Sequence, residues 1–76
     1  MPALNLDDVR TEALFVSELQ PSGQPTAELI REAVRRMVAR LGETGCAALV
    51  AEEFGEHPDS ALGRMRWARL AVSTAF

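Results

Sequence analysis

The chain has 76 residues, of which 47% are hydrophobic, and its eight basic and eleven acidic residues give a net charge of −3. This length fits one small domain, and this hydrophobic fraction excludes a disordered chain. The one cysteine excludes an internal disulfide and a cysteine-rich zinc site, and no apolar run is long enough to span a membrane.

The first predicted helix covers residues 6–19. Asn5 is a favourable N-cap, and two aspartates in the first turn suit the helix dipole. The apolar run 13–16 also fits a short strand, so both alternatives stay open there. Pro21 ends the element, and the Pro, Ser and Gly content of 20–26 predicts a loop.

Three further helices are predicted beyond this loop. Thr26 is a favourable N-cap and Gly42 a favourable C′ residue, and together they bound a second helix over 27–41. A third helix covers 44–55, and a fourth begins at Pro58 and continues toward the C-terminus. The apolar residues of the second helix form one stripe: Ile30, Ala33, Val34, Met37, Val38 and Leu41. We therefore expect an all-α fold, a small bundle of about four helices without a convincing strand.

Residues 50–69 have the spacing of a helix-turn-helix. Ala51 provides a small residue where a second helix would approach, and Gly55, four residues later, allows a sharp turn. The apolar positions that would lock the two helices together are Val50, Phe54, Ala61 and Met65. The same spacing also fits two generic packed helices, so the pattern leaves both interpretations open.

This segment resembles the promoter-reading helix-turn-helix of bacterial sigma factors. The residues that carry the resemblance are Ala51-Glu52-Glu53-Phe54-Gly55, Ser60-Ala61, Arg64-Met65 and Trp67-Ala68-Arg69. The resemblance implies a fold fragment and, more weakly, a DNA partner. The whole chain also resembles a group of short uncharacterised actinobacterial proteins with the stretches LFVSxLQPS and RMRWAR, here at 14–22 and 64–69. That second resemblance implies no activity.

Several positions depart from the sigma-factor pattern. Glu56 follows the turn glycine, where an apolar residue is usual. The positions that would face a DNA groove are His57, Asp59, Leu62, Gly63 and Arg66. Of these only Arg66 is a strong base reader, while Arg64 and Arg69 are placed to contact phosphates.

The fourth predicted helix has two apolar stripes. One stripe has the spacing of a core face and contains Ala61, Met65, Ala68 and Val72. Nearly opposite lie Gly63, Trp67 and Leu70. A surface helix has one apolar stripe, so a second one indicates that both sides are covered. The cover is either the first helix, through residues 14–16, or a partner molecule centred on Trp67, because tryptophan is frequent at interface hot spots.

The charged face of the second helix has a structural and a functional interpretation. Glu28 and Arg31, and likewise Glu32 and Arg36, have ion-pair spacing. These pairs predict a solvated charged face, with a phosphate-binding patch as the alternative.

The remaining polar residues form no catalytic pattern. Cys46 lies on the apolar face of the third helix, which predicts a buried, unreactive thiol. His57 at a helix start is expected to be a cap or a surface residue. The acids Glu52, Glu53 and Glu56 are spread around their helix, so we expect them to be solvated. We expect no enzymatic activity, cofactor, metal site or small-molecule substrate.

These patterns predict a single helical domain over residues 1–76 that acts as a small regulatory interaction module. It would contact a protein partner, or itself as a homodimer, through Gly63, Trp67 and Leu70. The first residues lack the basic region and apolar run of a signal peptide, so we expect a cytoplasmic protein with no membrane partner.

The alternative is a helix-turn-helix DNA-binding transcriptional regulator. It would use Arg64, Arg66 and Arg69 of the same helix. A helix covered on both sides cannot enter a major groove, so the exposure of the fourth helix discriminates between the two functions.

Overall fold

The structure is a computed structural model that describes residues 5–76. Its elements in chain order are α1 (Leu6–Val16), a 3-10 turn (Pro21–Gly23), α2 (Ala27–Glu56) and α3 (Pro58–Ala75). No strand occurs within the described residues, so the all-α prediction is confirmed and the strand alternative for 13–16 is wrong. Residues 5–76 form three helices where about four were expected, because the second and third predicted helices form one element, α2, whose two helical segments meet at the non-helical Gly42.

Helix α1 is bounded by side-chain caps at both ends. As predicted, the Asn5 side chain accepts a hydrogen bond from a first-turn backbone N–H at 2.8 Å. The helix ends at Val16 rather than at residue 19. The cause is local, since Ser17 has an extended conformation, and its backbone N–H at 3.1 Å and its hydroxyl at 2.7 Å both donate to the Leu14 carbonyl.

Helix α2 breaks at Gly42. Its 30 residues would reach about 45 Å as a straight helix, whereas the longest dimension of the molecule is 30 Å. Gly42 has φ 71° and ψ 170°, a conformation that only glycine adopts without strain, and the chain changes direction there. The predicted N-cap is confirmed, because the Thr26 hydroxyl accepts from the backbone N–H of Leu29 at 3.2 Å.

The three helices pack around one apolar core. Leu14 of α1 and Val72 of α3 are among its most deeply buried side chains. The predicted stripe of α2 is confirmed, with Ile30, Ala33 and Val34 buried and Met37, Val38 and Leu41 half-buried against the core. Small side chains on α3 let the neighbouring helices approach closely: Ala61, Ala68, Ala71 and Ala75.

Candidate interaction surface

The three residues expected to form a contact surface lie on the outward side of α3 and differ in exposure. Leu70 is 69% exposed, the largest value among the exposed large hydrophobic side chains of the described range. Gly63 is also exposed, and a Cβ atom added there would meet nothing within 4 Å. Trp67 is half-buried and packs against the core. The second apolar stripe therefore lies at the surface, with Trp67 as its inner edge.

An open groove of about 340 Å³ borders this stripe. Trp67 and Leu70 line one side, and Pro21, Pro25 and Ile30 contribute to the rest of its lining. Residues of α1 do not line the groove. The loop after α1, rather than residues 14–16 of the helix itself, thus borders the exposed side of Trp67.

Arg64 links α3 to the C-terminal end of α1. Its Nε donates to the Phe15 carbonyl at 2.7 Å, and its Nη2 donates to the carbonyls of Ser17 at 2.9 Å and Leu19 at 2.8 Å. Its Nη1 lies 3.5 Å from the side-chain oxygen of Gln20. The last turn of α1 contains no basic residue, so Arg64 supplies the positive charge and donors that a helix C-terminus favours.

The Arg64 guanidinium also lies over two aromatic rings. It is 5.8 Å from the ring centroid of Phe15 and 5.1 Å from that of Trp67. Such a placement is attractive, because the face of an aromatic ring is electronegative. Burial lowers the pKa of Arg64, and the negative charge of Glu53 acts in the opposite direction. Arg64 therefore restrains the Trp67 side chain and also holds the segment after α1 through the carbonyls of Ser17 and Leu19.

These contacts change the set of arginines that would contact DNA. The donors of Arg64 are used within the molecule, so they do not point toward a phosphate backbone in this conformation. Arg66 and Arg69 are exposed and form no ion pair among residues 5–76. Two of the three arginines are thus at the surface.

The close helix approach that a helix-turn-helix requires is not found. Ala51 and Gly55 are both exposed, and a Cβ atom at Gly55 would meet nothing within 4 Å. Gly55 is helical, because α2 continues to Glu56, and only His57 separates it from α3. The expected apolar neighbours do face inward, with Val50 and Ala61 buried and Phe54 and Met65 half-buried. The helix-turn-helix interpretation is therefore not confirmed.

Arg31 caps α3 much as Arg64 caps α1. Its Nη1 donates to the Ala75 carbonyl at 2.9 Å, at the end of a helix whose last turn also lacks a basic residue. Next to it the guanidinium of Arg10 lies 4.2 Å from the ring centroid of Phe76. The C-terminal end of α3 is thus held by one arginine from α2 and one from α1.

The ion pairs of α2 differ from the expected ones. Glu32 pairs with Arg35 instead of Arg36, and Arg36 reaches Glu18 at 3.4 Å. No pair forms between Glu28 and Arg31 in the described part of the chain, since Arg31 is directed toward α3. These side chains are mostly exposed, as expected of a solvated face.

The other residues singled out from the sequence differ in burial. Cys46 is buried as predicted, and burial, with a smaller contribution from Glu12, raises the pKa of its thiol. His57 is exposed and makes no side-chain cap bond. Within residues 5–76 no three metal-binding side chains cluster. None of the helices in this range offers an apolar segment of the length that spans a bilayer.

The comparisons with known proteins returned no significant match to any family model, curated protein or solved structure. The resemblances to the sigma-factor helix-turn-helix and to the short actinobacterial proteins therefore stay predictions.

Proposed function

We propose that this protein is a small interaction module that binds a protein partner, or a second copy of itself, through the outward face of α3. The observation that carries the proposal is the exposure of Leu70, which projects beside an apolar groove on a helix whose other face is core. Transfer of apolar surface from water into an interface drives most protein association. The exposed Leu70 side chain therefore supports a role of this face in contact with another protein.

The restraint of Trp67 also supports this function. Arg64 lies over its ring, and the core supports its inner side before any partner arrives. A side chain that is already ordered loses less conformational entropy on binding. Tryptophan is also among the residues most enriched at interface hot spots. Trp67 would therefore form the inner wall of the contact and Leu70 its projecting anchor, with Gly63 leaving room for a partner backbone.

Duplex DNA is the second candidate partner, and the exposure of Arg66 and Arg69 on α3 is the observation in its favour. Each phosphate neutralised adds about 0.9 to the slope of binding affinity against salt, so two arginines predict a slope magnitude of roughly 2. With Arg66 as the one base reader, sequence preference should be weak. A steep salt slope with selection of one DNA motif would favour this candidate instead.

The proposal is tested by capture from a lysate of the native cell, treated with nuclease to remove nucleic-acid carry-over. The variant Leu70→Asp places a charge at the centre of the surface, and we expect it to lose the captured protein. Leu6→Asp is the matched control, because Leu6 is 58% exposed and lies on α1.

Capture that resists nuclease, survives Leu6→Asp and is lost with Leu70→Asp would support the proposed surface. Equal capture by the wild type and both variants would contradict it. Both substitutions replace an exposed leucine, so both variants should keep the helical circular dichroism of the wild type.

A further inference from the structure

The second half of α2 presents an exposed leucine next to two acids. Residues 43–56 contain four glutamates and no basic residue. Leu49 is 41% exposed, and Glu52 and Glu56 are exposed at three and seven residues beyond it. At 100° per residue these three side chains fall on one side of the helix. We call Leu49, Glu52 and Glu56 the acidic triplet.

The next helix presents the same arrangement with the opposite charge. Residues 60–76 contain three arginines and no acid. Leu62 is 47% exposed, and Arg66 and Arg69 are exposed at four and seven residues beyond it. These three side chains also share one side of their helix, adjacent to Leu70. We call Leu62, Arg66 and Arg69 the basic triplet.

Neither triplet has its charges neutralised within the molecule. The ion pairs found among residues 5–76 join Arg10 to Asp7, Arg35 to Glu32 and Arg36 to Glu18. None of them includes a member of either triplet. Two surfaces of one chain are thus complementary in charge, and each is centred on an exposed leucine.

We infer that the occupant of the α3 face is a second copy of this chain, which docks its acidic triplet on the basic triplet. This inference rests on the proposed function and names the partner of the same surface. The triplets match when the two helices run in the same direction. Leu49 of one copy then contacts Leu62 of the other, while Glu52 pairs with Arg66 and Glu56 with Arg69. Each triplet extends over about 10 Å of its helix at a rise of 1.5 Å per residue.

The leucines and the charges have different roles in this contact. Leu49, Leu62 and Leu70 supply apolar surface that leaves water on association. The charges orient the copies and exclude pairings of like charge, because complementary potentials at an interface mainly determine specificity and association rate. Self-association should therefore weaken as salt is added, because the screening length for charges falls to about 10 Å at 0.1 M ionic strength.

The test uses charge exchange between two variants of the full chain. Arg66→Glu and Glu52→Arg each replace one attraction by a repulsion, and each should weaken self-association by about tenfold or more, the equivalent of about 1.4 kcal/mol. In an equal mixture, each pair made of one copy of either variant regains both attractions, whereas pairs of the same variant do not. Association should therefore recover most of the way to the wild-type level. Arg40→Glu changes charge by the same amount at an exposed site outside both triplets and should have little effect.

Sedimentation equilibrium over a range of protein concentrations measures the association constants. Association of the wild type, loss in each single variant and recovery in the mixture would establish the contact. A wild type that remains monomeric up to about 1 mM, or a mixture that fails to recover, would overturn it. The lysate capture that depends on Leu70 is unaffected by a monomeric result, so the proposed function and this inference fail separately.

Discussion

Replacing Arg64 with methionine keeps an unbranched apolar stem and removes the guanidinium. The carbonyls of Phe15, Ser17 and Leu19 then lose their donors. A hydrogen bond to a charged group contributes about 1.5–3 kcal/mol, but three bonds from one side chain are not additive, and water reaches this half-buried site. We therefore expect a loss of about 2–4 kcal/mol in the free energy of unfolding. A chain of this length has only about 4–11 kcal/mol in total, so Tm should fall by roughly 10–30 °C.

Urea unfolding followed by circular dichroism measures the loss. Arg40→Met is the matched control, because Arg40 is exposed, forms no ion pair within the described residues and lies outside both triplets, and its effect should stay within about 0.5 kcal/mol. Arg64→Lys keeps the charge without the planar fork of donors and should be intermediate. If Arg64→Met and Arg40→Met unfold at the same urea concentration, the capping role of Arg64 is wrong.

Three further predictions concern residues away from this contact. Gly42→Ala should destabilise by about 1–3 kcal/mol, because φ is 71° there, whereas Gly55→Ala in an open helical site should stabilise by up to about 1 kcal/mol; opposite shifts in the urea midpoint check this, and equal shifts would contradict it. Burial, and then the charge of Asp8, raises the pKa of Glu12 above its ordinary 4.5. Folding therefore favours protonated Glu12, and the associated stability is present below pH 4.5 and lost as pH rises through the folded pKa. Glu12→Gln should then stabilise the protein more at pH 7 than below pH 4. Urea unfolding of both proteins at the two pH values measures this, and an equal effect of the substitution at both would refute the prediction. Finally, the Cys46 thiol should react with a maleimide only when the chain unfolds, so rapid labelling without denaturant would refute its burial.

The parts of the fold that the sequence predicts correctly depend on local chemistry. Asn5 and Thr26 cap their helices through bonds to backbone groups two and three residues away. Gly42 interrupts α2 because its own backbone conformation requires glycine. The stripe of α2 follows from helical periodicity alone. Each of these signals is contained in a short window of sequence.

The contacts that escaped prediction join residues far apart in the chain. Arg64 bonds to carbonyls 45 to 49 residues earlier, and nothing in its local sequence distinguishes it from the other seven of the chain's eight arginines. Because the last turn of α1 contains no basic residue, its carbonyl groups need a donor from elsewhere in the chain. The sequence does not show which residue supplies that donor. Likewise, periodicity identifies Leu70 as part of a second apolar stripe, whereas only the packing of the other helices shows that it remains exposed.

The most direct test of the interaction surface is photo-crosslinking from position 70. Leu70→Cys can be labelled with a benzophenone maleimide, because the native thiol of Cys46 is buried. Leu6→Cys, labelled in the same way, is the control on an exposed site of α1. Each labelled variant is irradiated in a lysate of the native cell. Position 70 should give a discrete protein adduct that an excess of unlabelled wild-type protein abolishes, and position 6 should give none. No adduct from position 70, or the same adducts from both positions, would contradict the claim that the outward face of α3 binds a protein.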